Sequence, residues 1–230
     1  VEEGLLSGGD ICPAPHFPGD ACDYEGAKSI KAGLLDKAWL NFKQGNRDRL
    51  PYDRFLDANA YWLDEFALFV VLKRRQEFRP WNLWPRELKM REAEAIAPAR
   101  EALADEMEKE RFFQFLFFKQ WSALKGYCGG KGIRIVGDIP IYVSYDSADV
   151  WARAELFKLD AERAPLAVAG VPPDYFSRTG QLWGNPVYDW EALKRTDFNW
   201  WMERLAHNLG LFDIVRIDHF RGLVAYWEVP

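Results

Sequence analysis

Cysteine is scarce in this sequence. Cys12, Cys22 and Cys128 are the three in 230 residues, an odd number with no paired spacing. That usage excludes a disulfide framework and reads as reduced thiols of an intracellular protein. No apolar run approaches the roughly 20 residues that cross a bilayer, and no secretory pattern opens the chain. Positive charge is not in excess either. The 30 Lys and Arg against 35 Asp and Glu leave a formal net charge of -5, which argues against general binding to nucleic acid or to an anionic membrane. A phosphate-cradling glycine loop and a His–Cys–Asp cluster with metal spacing are both missing, so neither cofactor nor metal is expected.

What is present is apolar and aromatic. Hydrophobic residues make up 49% and charged residues 28%, a globular composition with enough apolar mass for a sizeable core. The length suits one domain or a large part of one. The chain begins at Val1, not Met, and its true N-terminus is expected to lie upstream. The expected location is the cytoplasm, with a plastid left open for that reason. Aromatics reach 16%, with 11 Trp. Helical spacing assigns most of them to core packing. Some could instead be platforms for sugar rings, whose C–H faces pack on flat aromatic surfaces.

The chain changes character part-way. Residues 1–30, rich in Pro, Gly and Asp, read as an irregular lead-in. From about residue 32 to 126 the pattern is helical. "LDANAYWLDEFALFVVLKRRQ" carries a stripe of Trp62, Phe66, Phe69 and Val70, with Asp57 as the expected N-cap. "EMEKERFFQFLFFKQWSALKGY" is a second long helix, apolar round most of its middle and so expected to be buried. Residues 127–230 then show helix, glycine, strand and aspartate twice over. In "GYCGGKGIRIVGDIPIYV", glycines stop a helix, Ile133, Ile135 and Val136 suit a buried strand, Asp138 follows, and Pro140 ends the run. In "DFNWWMERLAHNLGLFDIVRIDHF", Thr196 or Asp197 caps a helix, Gly210 stops it, and Phe212 to Ile217 form a strand ending in Asp218. That rhythm belongs to a parallel α/β protein. In a β/α barrel the C-terminal strand ends build the active site, which puts Asp138 and Asp218 where chemistry would occur. A complete barrel repeats the unit eight times over roughly 250 residues. Only two convincing units are present, so the barrel is expected to be incomplete here.

Strand alternation places Arg216 and Asp218 on one face and Val215, Ile217 and His219 on the other. A guanidinium beside a carboxylate favours its charged form. Two readings stand. One is a buried ion pair that braces the strands. The other is a permanently charged carboxylate that attacks an anomeric carbon or stabilises an oxocarbenium-like centre. Between the two units, "VPPDYFSRTGQLWGNPVYDW" reads as an ordered, non-regular loop. Gly180 and Gly184 flank Gln181, Leu182 and Trp183, so Trp183 is either tucked inward or presented with Gln181 to a ligand.

Three stretches, "GDIPIYVSYDSADVW", "GVPPDYFSRTGQLWGNPVYDW" and "FDIVRIDHFRGLVAYWEVP", closely resemble the 4-α-glucanotransferases (amylomaltases, or disproportionating enzymes). The likeness extends to the lead-in "VEEGLL" and to "FLFFKQW". It implies a (β/α)8 TIM barrel of the α-amylase type, with residues 32–126 as a helical insertion. It also implies retaining transfer of α-1,4-glucan segments to acceptor sugars, without cofactor or metal. By the resemblance, Asp218 is the nucleophile and Arg216 its charge partner. His219 and Asp138 match sugar-contacting positions. Gly180, Gln181, Trp183 and Asn185 belong to the loop over the sugar sites. The family's acid/base Glu and a further stabilising Asp lie on later strands. Glu228 matches a non-catalytic segment, so the residues present would form the nucleophile half of the site. The alternatives are an α-glucan hydrolase and a non-catalytic glucan-binding protein.

Overall fold

The computed structural model describes residues 3–12, 17–45, 48–175 and 177–230. Its first half is helical: α1 (Gly8–Ile11), α2 (Tyr24–Gln44), α3 (Leu50–Arg75), α4 (Arg86–Lys89), α5 (Ala93–Ala102) and α6 (Ala104–Gly130). The lead-in is shorter than its composition suggests, and its residues 1, 2 and 13–16 lie outside the described residues. Helix α2 begins at Tyr24 because Asp23 accepts a hydrogen bond from the Gly26 amide at 2.8 Å, satisfying one orphan donor of the first turn. Helix α3 begins at Leu50, with Pro51 in its first turn, where a fixed φ and a missing N–H cost nothing. Asp57 therefore sits inside the helix and is not its cap.

Trp39 and Phe42 of α2, Tyr52 of α3, and Phe112 and Leu116 of α6 close one core. The Phe42 and Phe112 rings stack at 4.5 Å. Glu110 of α6 is buried and meets Arg74 of α3 at 2.5 Å, the pairing a buried carboxylate requires. The expectation of an all-round buried α6 fails at Phe117, which is 53% exposed. Only one face of the helix is covered by α2 and α3.

Helix α6 ends at Gly130, and the left-handed glycine that stops it is Gly132. Gly132 takes φ 72°, and the amides of Gly132 and Ile133 reach back to the carbonyls of Gly129 and Cys128, closing the last turn. The second half then runs β1 (Val136–Ile139), α7 (Ala148–Ala152), β2 (Val168–Val171), β3 (Gln181–Pro186), α8 (Trp190–Arg195), α9 (Asn199–Leu211), β4 (Ile214–Ile217) and β5 (Trp227–Val229). Strands β1 and β4 pair in parallel, with Asp138 opposite Arg216, and α9 packs on both. Strands β3, β2 and β5 form a separate antiparallel sheet. The stretch read as an irregular loop thus contains a strand, β3, bulged against β2 between Val168 and Gly170. A larger core links α3 to this half through Leu68, Trp81, Trp151, Tyr188, Trp200 and Trp201.

Three local expectations need correction. The N-cap of α9 is Phe198 in the left-handed region at φ 57°, not Thr196 or Asp197. Gly210 lies inside α9, which runs one residue further to Leu211. The first strand starts at Val136, and Ile133 and Val136 are exposed, not buried. The architecture is α/β, and no closed barrel forms among the described residues.

Candidate functional site

Each strand of the parallel pair turns alternate residues outward and inward. Gly137 and Ile139 of β1 are buried, whereas Val136 and Asp138 are exposed. On β4, Ile214 and Arg216 are exposed while Val215 and Ile217 are half-buried. The open face is therefore apolar at the N-terminal ends and charged at the C-terminal ends. There Arg216 stands between two carboxylates. Its Nη2 donates to Asp218 Oδ1 at 2.5 Å, and its Nη1 lies 3.5 Å from Asp138 Oδ2. The Asp218 amide donates to the Ile139 carbonyl at 2.9 Å, so the two strands fix its backbone together.

These three side chains are not buried, contrary to the sequence reading. Arg216, Asp138 and Asp218 are 64%, 54% and 53% exposed. Ion pairs at such exposure contribute only about 0–1 kcal/mol. In this chain the pairs therefore brace the strands only weakly, and three charges gather at the C-terminal ends of β1 and β4. They carry one positive and two negative charges, and leave carboxylate oxygens facing outward from the sheet.

His219 follows Asp218 in the left-handed region, at φ 50°. Non-glycine residues seldom adopt it, and they tend to do so at functional sites. The turn swings the imidazole to β3, where it meets the Trp183 indole edge-on at 5.0 Å. Trp183 is 36% exposed, neither tucked in nor free. Its Nε1 donates to Gln181 Oε1 at 3.0 Å, and its ring lies 6.1 Å from that of Tyr142. The two motifs that sequence placed far apart thus meet at this pair. Gly180 turns the chain into β3 at φ 72°, and a Cβ there would lie 2.4 Å from the Val171 carbonyl oxygen, so only glycine fits. Asn185 does not join them. Its side-chain amide donates to the Val143 carbonyl at 2.9 Å.

Comparison with known proteins gives the family. The family model for 4-alpha-glucanotransferase, glycoside hydrolase family 77, matches residues 2–230. The chain belongs to the 4-alpha-glucanotransferase family. It is 49% identical over 230 residues to a 4-alpha-glucanotransferase of Aquifex aeolicus, covering 100% of this chain and 46% of that protein. It is also 49% identical over 218 residues to that of Thermus thermophilus, covering 94% and 44%. Among solved structures it resembles an amylomaltase from Streptococcus agalactiae in complex with acarbose. The TM-score is 0.90 and the identity 40%, covering 99% of this chain and 46% of that one. The chain spans less than half the length of the curated relatives it matches.

The chain also gathers residues that sequence reasoning missed. Beside His219 lies a cleft of about 440 Å3, walled by Val171, Pro172, Tyr226 and Trp227 and with Asp174 and Arg221 at its rim. Tyr142 packs under Trp183 and against Tyr226. Its hydroxyl is buried without a hydrogen-bond partner among the described residues, and burial raises its pKa. Burial, with Glu228 adding to it, pushes Tyr226 up to about 12. Both phenols therefore stay protonated near neutrality. Their signal lay in "DIPIYV" and "VAYWEV", where apolar neighbours made them look like core. Glu228 pairs with Lys158 at 2.5 Å. Among the described residues no group of three or more His, Cys, Asp or Glu could hold a metal ion. Among the described residues, too, no helix is long and apolar enough to cross a membrane.

Proposed function

We propose that the protein to which this chain belongs transfers α-1,4-glucan segments to acceptor sugars by a retaining double displacement. The observation that carries the reading is the Asp138–Arg216–Asp218 arrangement at the C-terminal ends of two parallel strands, in a chain of the 4-alpha-glucanotransferase family. In this reading the parallel pair is part of a (β/α)8 barrel, with residues 32–126 inserted as a helical subdomain. The likeness to an amylomaltase solved with acarbose supports a saccharide site.

An Asp218 oxygen attacks the anomeric carbon. The glycosidic C–O bond breaks, and a general acid protonates the leaving oxygen. That acid/base Glu is assigned to the part of the protein outside this chain, roughly 5–5.5 Å from Asp218 as retention requires. A hydroxyl of the acceptor sugar then gives its proton to the same carboxylate and attacks the anomeric carbon. The ester to Asp218 breaks, and the configuration is retained overall. Arg216 orients Asp218 through one oxygen, leaving the other for attack. Asp138 and His219 contact sugar hydroxyls, and Trp183 and Gln181 flank the ring. Gly180 and Asn185 shape that wall through the backbone. Transfer outruns hydrolysis only if water is kept from the intermediate, which the 179–186 segment would do.

Incubation of the full-length protein with maltotriose tests this. Longer maltooligosaccharides support transfer, whereas glucose and maltose alone show a hydrolase instead.

A further inference from the structure

The segment that follows β1 has no regular structure, yet its carbonyls are claimed by side chains from elsewhere in the chain. The Pro140 carbonyl accepts from Arg204 Nη2 at 2.6 Å. The Ile141 carbonyl accepts from the Tyr188 hydroxyl at 2.7 Å and lies 3.4 Å from Arg204 Nη1. Arg204 Nη1 is also 3.5 Å from the Tyr188 hydroxyl. One guanidinium on the outer helix α9 thus fastens two successive carbonyls just past a strand that bears a site carboxylate.

Arg204 is an expensive choice for fastening alone. Its guanidinium is held over the Trp201 and Trp200 rings at 4.9 and 5.4 Å. Burial works against its charge, and Asp149 attracts it only at a distance while accepting from Trp200. Its strong contacts are neutral carbonyls, not a carboxylate. What it fastens leads directly to the site. Tyr142 follows Ile141, stacks on Tyr188 at 6.0 Å and carries the Trp183 ring at 6.1 Å. Trp183 in turn meets His219. Tyr226 closes the set by donating to the Tyr188 carbonyl at 3.0 Å.

We propose that Arg204 is a positioning residue for the sugar site, setting the height of the Tyr142–Trp183–His219 platform through the Pro140 and Ile141 carbonyls; this rests on the glucan-transfer reading above. Asp218 is held separately, by β4 and by the Ile139 carbonyl, so Arg204 governs binding more than chemistry.

The full-length protein with Arg204→Gln and Arg204→Lys tests this, by thermal midpoint, acarbose affinity, and kcat and KM on maltotriose. For Arg204→Gln, acarbose affinity and KM are expected to worsen about tenfold, the loss of one charge-assisted contact, with kcat within about threefold. Arg204→Lys still reaches the Pro140 carbonyl and recovers part of that loss. Unchanged acarbose affinity in folded Arg204→Gln, however far its midpoint falls, overturns the proposal. So does a fall in kcat at unchanged affinity. If Arg204→Gln does not fold, Tyr188→Phe removes a hydroxyl from the same carbonyl while keeping the ring. Its acarbose binding is expected to weaken about threefold, and no change overturns the proposal. Failure of the parent protein to bind acarbose sinks the function reading and this inference together. Binding by the parent with no effect in the variants sinks this inference only.

Discussion

Trp183→Ala separates a sugar platform from a core tryptophan. A fully buried Trp cut to Ala costs about 3–5 kcal/mol. Trp183 is 36% exposed and lies outside the buried cores. What it loses on truncation is an edge contact with His219, a tilted contact with Tyr142 and a hydrogen bond to Gln181. Aromatic pairs contribute about 0.5–1.5 kcal/mol each beyond area burial, and an exposed hydrogen bond adds less than about 1 kcal/mol. These contacts sum to about 2 kcal/mol, to which the covered part of the ring adds. At about 2–4 °C per kcal/mol for a domain of this size, the thermal midpoint should fall by at least about 4–8 °C. Loss of one aromatic face against a sugar ring should weaken acarbose by about tenfold, or roughly 1.4 kcal/mol, and Trp183→Phe should restore part of it. Calorimetric titration with acarbose and a melting curve on the same sample give both numbers. A midpoint loss on the scale of a buried Trp, with unchanged acarbose affinity, would refute the platform reading.

Other outcomes follow from single groups. Asn185→Ala should cost about 0.5–1.5 kcal/mol of stability by leaving the Val143 carbonyl unpaired, visible in denaturant melts; a large affinity loss at unchanged stability would instead give Asn185 a direct sugar contact. His207 packs between Trp62 and Phe118, bonds Tyr61 and is held below its ordinary 6.5 by burial. The unfolded chain takes up that proton first, so stability should fall as pH drops below about 6.5 and level off beneath the folded pKa. His207→Gln should remove this component from a pH series of denaturant melts; an unchanged pH profile would show that His207 does not carry it.

The site was more legible than the scaffold around it. In "GDIP" and "VRIDHF", two apolar runs ending in Asp gave a parallel pair and the strand ends where the charges gather, because period-two alternation fixes which side chains share a face. Those runs do not show what covers that face, and Arg216 and Asp218 are exposed in this chain where one of the two readings had them buried. Strand β3 was hidden because Gly184 and Pro186 read as breakers, although the strand pairs through residues on either side of a bulge. Helix ends failed for a related reason. Pro51 starts α3 more firmly than Asp57 could, and Asp197 and Phe198 adopt left-handed backbone where glycine would be looked for. Tyr188 and Arg204 escaped notice because they reach the site through backbone carbonyls, and side-chain spacing leaves no trace of such contacts.

The central claim is that Asp218 is the nucleophile, and Asp218→Asn in the full-length protein tests it most directly. The amide is nearly isosteric with the carboxylate, and Arg216 keeps Asp138 as a partner. Breaking the Arg216–Asp218 pair should therefore leave the fold standing, at a cost that the melting curve reads. The amide cannot form the ester or offset the developing positive charge. Maltotriose disproportionation should fall by about a thousandfold or more, roughly 4 kcal/mol on the barrier, in a protein whose melting curve and acarbose affinity stay close to those of the parent. A rate that declines only in proportion to the folded fraction would contradict the account and leave Asp218 a structural partner of Arg216.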